Sequence, residues 1–150
     1  MPAMKSMWNE EDRRALCRRI GAVRPDAAPR WGRLSAPQMM AHLTDSLRVA
    51  FGELAPAPRK LPIRYPPLKQ LIIYALPFPK NAPTAPEVIS RRPADMQPEV
   101  TALTALVERF GREAQNRAWP AHPAFGPMSA RAWGVLMYRH TDHHLRQFGV

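Results

Sequence analysis

Apolar residues recur at helical spacing in four stretches of the chain, separated by polar or proline-rich sequence. The first predicted helix runs from Asn9 to about Ile20. Leu16, Cys17 and Ile20 form its short apolar stripe. Asn9 is placed to cap it, Glu10, Glu11 and Asp12 favour its positive end, and Gly21 follows its stop. The second starts at the N-cap residue Ser35, with Pro37 in its first turn, and stops near Gly52. Met40, Leu43, Leu47, Ala50 and Phe51 mark one face of it. The third fits Glu99 to about Asn116, on Val100, Leu103, Leu106 and Phe110. The fourth begins at Ser129 and runs to about Phe148. Its inward stripe is Trp133, Met137, His140 and His144, a seam whose last two positions hold histidine instead of a hydrophobe.

Four such helices predict an all-α fold, a four-helix bundle in one domain spanning residues 1–150. The first and second are joined by about 14 residues, the third and fourth by about 12. The second and third are more than 45 residues apart. A connection that long has to cross the length of the bundle or carry out a task of its own. Eleven of the 18 prolines fall between residues 55 and 98, which makes the crossover irregular. Leu68 to Leu76 can form a short helix within it, before Pro77 and Pro79. The crossover lets the second and third helices run parallel, and lets the second and fourth run antiparallel.

Composition excludes several classes. With 45% hydrophobic and 23% charged residues, the chain is globular, neither disordered nor a fibrous repeat. The single cysteine, Cys17, excludes an internal disulfide framework or a Cys-rich zinc finger, and reads as core packing. The start has no apolar run of the secretory type. The longest apolar stretch, Leu71 to Phe78, is well short of the roughly 20 residues that span a bilayer. A cytoplasmic protein with no membrane association is expected. The formal charge of +10 fits a solvated arginine-rich surface or an anionic partner. Nucleic acid is the weaker option, because no helix-turn-helix spacing or other reader motif is present. Nucleotide-binding glycine loops and the G-x-S-x-G elbow are also missing.

The chemistry lies in the histidines. His140 and His144, at i and i+4, share one helix face one turn apart, as ligands of a common ion must. Two unpaired imidazoles on a core-facing seam are costly unless bonded. At ~1.5 Å per residue, His42 lies ~10 Å from the start of its helix, and His140 and His144 lie ~12 and ~6 Å from the end of theirs. If those helices are antiparallel, the heights coincide. His122 lies more than ~16 Å from His140 by the same rise and is excluded. Three neutral imidazoles leave at least one coordination position open, the pattern of a reactive metal site. Such a set suits zinc, nickel, copper or iron, with zinc and nickel as the leading options. Asp45 and Asp142 are candidate acceptors fixing a histidine tautomer, and Asp45 is also a candidate ligand. Tyr138, Gln147 and Arg146 are candidate substrate contacts. An isolated H-x-x-x-H is also found without metal, and His143, off the 140/144 face, suits a charged partner of the helix C-terminus. Metal loss is expected below about pH 6, as histidine protonates.

The ending H-x-x-H-H-L-R-Q-F-G (His140 to Gly149) resembles the DinB-like superfamily. So do the segments His122 to Ser129, Trp31 to Leu43 and Pro77 to Glu87. Within that superfamily the likeness is to a bacterial branch described as a domain of unknown function. The resemblance implies a four-helix bundle with a crossover between the second and third helices. It also implies a divalent metal on one histidine of the second helix and the H-x-x-x-H pair of the fourth, here His42, His140 and His144. It implies a homodimer. Many proteins of the superfamily are transferases or isomerases that use a low-molecular-weight thiol, but for this branch no activity follows. Two readings remain: a metal-dependent thiol S-transferase or hydrolase acting on a small molecule, and a non-catalytic metal-binding or ligand-binding protein.

Overall fold

The computed structural model describes residues 3–80 and 84–150. Residues 81–83, part of the proline-rich motif Pro77 to Glu87, lie outside the described residues. Five α-helices form: α1 (Glu10–Ala22), α2 (Ala36–Ala50), α3 (Leu68–Tyr74), α4 (Gln97–Arg109) and α5 (Ala130–Gln147). Among the described residues there is no strand, only an isolated bridge between His122 and Gly126. Among the described residues no helix is long and apolar enough to cross a membrane.

The caps are those the sequence predicts. The Asn9, Ser35 and Ser129 side chains accept from the backbone N–H three residues on, each satisfying a donor that its helix cannot. Ser35 and Gln38 close a reciprocal capping box, with Gln38 Oε1 2.9 Å from the Ser35 N–H. The predicted third helix, α4 here, is displaced. It starts at Gln97 with Pro98 in its first turn and ends at Arg109. A 3-10 turn follows at Phe110–Arg112. The apolar stripe stops at the buried Phe110, so the polar residues beyond have no core contact to hold them helical.

Contacts fix the directions. Thr44 lies against Glu99, and Phe51 packs on Phe110 with ring centroids 4.8 Å apart, so α2 and α4 run parallel. The Arg30 N–H donates to Gln147 O and Gln147 Nε2 to Trp31 O, which places the end of α5 at the start of α2 and makes these two antiparallel. Met7 N–H donates to Gly134 O, and Arg19 pairs with Asp142 at 2.8 Å, so α1 runs parallel to α5. Trp8 reaches α5, its Nε1 donating to Ala130 O at 2.7 Å, because Gly134 has no side chain: a Cβ there would collide with Trp8 Cδ1. Leu16, Ile20, Met39, Met40, Leu43, Leu47, Leu103, Val107, Phe110, Trp133 and Leu145 fill the interior between these four helices.

The crossover is not a free loop. Its helix α3 packs on α5, where Arg139 donates to Ile72 O (2.7 Å), Ile73 O (2.6 Å) and Leu76 O and so satisfies carbonyls that α3 leaves open. A 3-10 turn at Pro86–Val88 then packs on α2. That turn brings a backbone carbonyl to the centre of the bundle.

Candidate metal centre

His42 occupies the middle of α2, seven residues from the cap that fixes its phase, and is 3% exposed. On α5, the stripe that buries Trp133 and Met137 carries His140 and His144 to the same height. The three rings meet. Each pair of centroids is 4.8 Å apart, with the planes nearly perpendicular. One nitrogen from each residue lies within 4.8 Å of the other two.

The neighbours of the rings set their tautomers. His42 Nδ1 lies 2.6 Å from Val88 O. A carbonyl only accepts, so Nδ1 carries the proton and Nε2 presents its lone pair inward. His144 Nδ1 lies 2.7 Å from Gln147 Oε1. The Gln147 amide is oriented by its other end, whose Nε2 donates to Trp31 O at 2.8 Å. The His144 proton is therefore on Nδ1 as well, and Nε2 is again free. His42 Nε2 and His140 Nε2 stand 3.0 Å apart. With no proton on the first, either His140 donates to it or a cation lies between the two lone pairs.

Burial keeps all three rings neutral. Loss of solvent pushes His144 down to about 3, with the neighbouring His42 adding to the effect. It holds His140 well below the usual histidine range, reinforced by His144 and His42. His42 is lowered by burial too, against the opposing hydrogen bond to Val88 and the charge of Asp45. Three neutral nitrogen donors converging at a partly buried point fit a borderline divalent ion with at least one position left over.

Of the other candidates, only Gln147 is hydrogen-bonded to one of the three rings. Asp45 is engaged by arginines and not by the rings. Its carboxylate, 2% exposed, accepts from Arg91 Nε (2.8 Å), Arg91 Nη2 (3.1 Å) and Arg48 (3.3 Å). The crossover supplies a cation that its position on α2 gives no hint of. Asp142 is held by Arg19 (2.8 Å) and Arg146 (3.1 Å), away from the rings. Tyr138 faces α1, where burial and Asp142 raise its pKa against Lys5 and Arg19. Arg146 is exposed in its pair with Asp142. Burial lowers the pKa of His143 against the opposing charge of Asp142, which disfavours a charged ring at the end of α5. His122 stays out of the cluster, its Nδ1 accepting from the Ala124 and Phe125 N–H groups.

Sequence reading missed three elements. Val88 acts through its carbonyl, which leaves no mark in the sequence. Arg91 is one arginine among many. Trp31 and Phe78 flank His143, with ring centroids 5.3 and 5.8 Å from it, and Phe78 lies 6.3 Å from His140, so aromatic walls stand beside the histidines. Lys80 Nζ lies 4.7 Å from the Trp31 ring.

An all-α bundle with three imidazoles facing one point from two antiparallel helices defines the class of protein. The family model of the DinB superfamily matches residues 10–148, and the chain belongs to that superfamily. No curated protein and no solved structure matches the chain.

Proposed function

We propose that the protein holds one divalent ion, zinc or nickel, on His42, His140 and His144, and uses the open position as a metal-dependent thiol S-transferase or hydrolase acting on a small molecule. The convergence of three neutral rings, two with Nδ1 anchored so that Nε2 faces the shared point, carries this reading. An ion of this kind, when bound, stabilises a thiolate or lowers the pKa of a water at neutral pH. The chain's part is to present the three Nε2 lone pairs, to keep them free of protons, and to wall the mouth with Trp31 and Phe78. Lys80 beside Trp31 supplies a positive charge suited to an anionic thiol cofactor. The reading includes one domain in a cytoplasmic homodimer. The exposed apolar side chains of Tyr65, Leu68, Leu71 and Leu76 offer the second copy a surface.

Tag-free protein from cells grown with added zinc and nickel tests this. The expected result is close to one ion per chain, together with turnover of thiol-dependent substrates that His140→Ala abolishes. Metal content near zero contradicts the reading. Bound metal that raises thermal stability, with no turnover of any thiol or hydrolytic substrate, favours the second reading, a metal-stabilised binding protein.

A further inference from the structure

Arg91 lies in the crossover, three residues after the carbonyl that fixes His42. It reaches two helices at once. On α2 its Nε and Nη2 donate to both oxygens of Asp45, and Nη2 also meets Ala41 O at 3.4 Å. On α4 its Nη1 and Nη2 donate to the two oxygens of Glu99, the latter at 2.9 Å. Both carboxylates are buried, Asp45 to 2% and Glu99 to 9% exposure. Hydrogen bonds to Glu99 and then Asp45 raise the guanidinium pKa further above its ordinary value. A planar five-donor fork can serve two carboxylates in this way and an ammonium cannot.

The consequence is positional. The segment from Val88 to Arg91 is tied at one end by the buried Val88 side chain and at the other by this fork. The tie holds Val88 O 2.6 Å from His42 Nδ1. Asp45 is one helical turn from His42, so the fork references the carbonyl to the helix that carries the ring. From this the geometry points to Arg91 as a positioning residue of the histidine cluster. Through Asp45 and Glu99 it holds the crossover carbonyl that selects the Nδ1–H tautomer of His42 and leaves Nε2 free for metal. Arg91 touches neither the ion nor substrate. The inference rests on the metal reading only for its effect on affinity; the tautomer can be read without metal.

The experiment is nitrogen-15 NMR of the imidazoles in metal-free protein, paired with zinc competition titration. Wild type should show His42 as the Nδ1–H tautomer. Arg91→Lys keeps a positive charge but loses the fork. It should give a mixture of His42 tautomers and bind zinc about 10-fold or more weakly, the usual range for removing support from a metal-bound histidine. Asp45→Asn, which loosens one arm of the fork and leaves Glu99 in place, should do the same in smaller degree and serves if Arg91→Lys does not fold. A variant that loses thermal stability yet keeps the wild-type tautomer and wild-type zinc affinity overturns the proposal and leaves Arg91 a plain ion-pair partner. Failure of wild type to bind zinc, with the Nδ1–H tautomer present and lost in Arg91→Lys, sinks the metal reading while the positioning role stands.

Discussion

Two buried polar clusters share α2, one turn apart, and they solve burial in opposite ways. Around Asp45, two carboxylates are balanced by two arginines, Arg91 from the crossover and Arg48 from α2, and every partner is encoded in the chain. Around His42, three bases meet with no acidic side chain in the set. Burial is met there by staying neutral, which leaves inward-facing lone pairs with at most a proton to share. The first cluster is complete as it folds, while the second has the composition of a ligand set. The contrast, more than the presence of histidines, separates a structural polar core from a site.

The largest effect expected is that of acid on metal-free protein. His144 and His122 have pKa values pushed down to about 3 and about 4 by burial. Each is near 6.5 when unfolded, so below that pH the unfolded chain takes up protons that the folded chain refuses. Stability present above about pH 6.5 is therefore lost as pH falls. These two residues alone should remove about 4 kcal/mol between pH 7.5 and 5. Urea unfolding at the two pH values measures it. Zinc-loaded protein should resist longer, releasing metal between about pH 6 and 3 as protons reach the rings.

Next is the complete cluster. Arg91→Ala leaves two buried carboxylates with only Arg48 nearby. It should cost about 3 kcal/mol, the low end for an orphaned buried charge, because Arg91 is itself 39% exposed. Denaturant midpoints of the metal-free variant check this. The histidine cluster should respond to a cation instead. At a free zinc concentration 100 times Kd, wild type should gain about 2.7 kcal/mol and His140→Ala none. Differential scanning calorimetry with and without zinc separates the two. The smallest effect lies outside both clusters. Gly134→Ala forces a Cβ to within 2.3 Å of Trp8 and 2.6 Å of Ser6 Oγ. Overpacking there should outweigh the gain in helix propensity and cost about 1–2 kcal/mol, with zinc affinity unchanged.

What was legible in the sequence follows the range of the interactions. The caps at Asn9, Ser35 and Ser129 are local, and they set the phase of α1, α2 and α5 as expected. Because helical rise is constant, the start of α2 and the end of α5 also set the height of His42 against His140 and His144. The end of α4 was not legible, since helix propensity beyond Phe110 says nothing about the absence of a neighbouring surface. The partner of Asp45 was not legible for a related reason. Its short-range neighbour is His42, but its charge is satisfied by Arg91, 46 residues away in the crossover. Gln147 was read as a candidate substrate contact, although its bond to His144, three residues away on the same helix, is of local range. Val88, acting through a main-chain oxygen, was not legible.

The central claim is that the three rings form one ion's ligand set, and zinc-edge X-ray absorption of zinc-loaded protein tests it most directly. Three imidazole nitrogens at about 2.0–2.1 Å are expected, with a water oxygen completing the shell, and a spectrum altered by loss of any one of His42, His140 or His144. Zinc that fails to load, or that loads with the same spectrum after those three histidines are replaced, would contradict it.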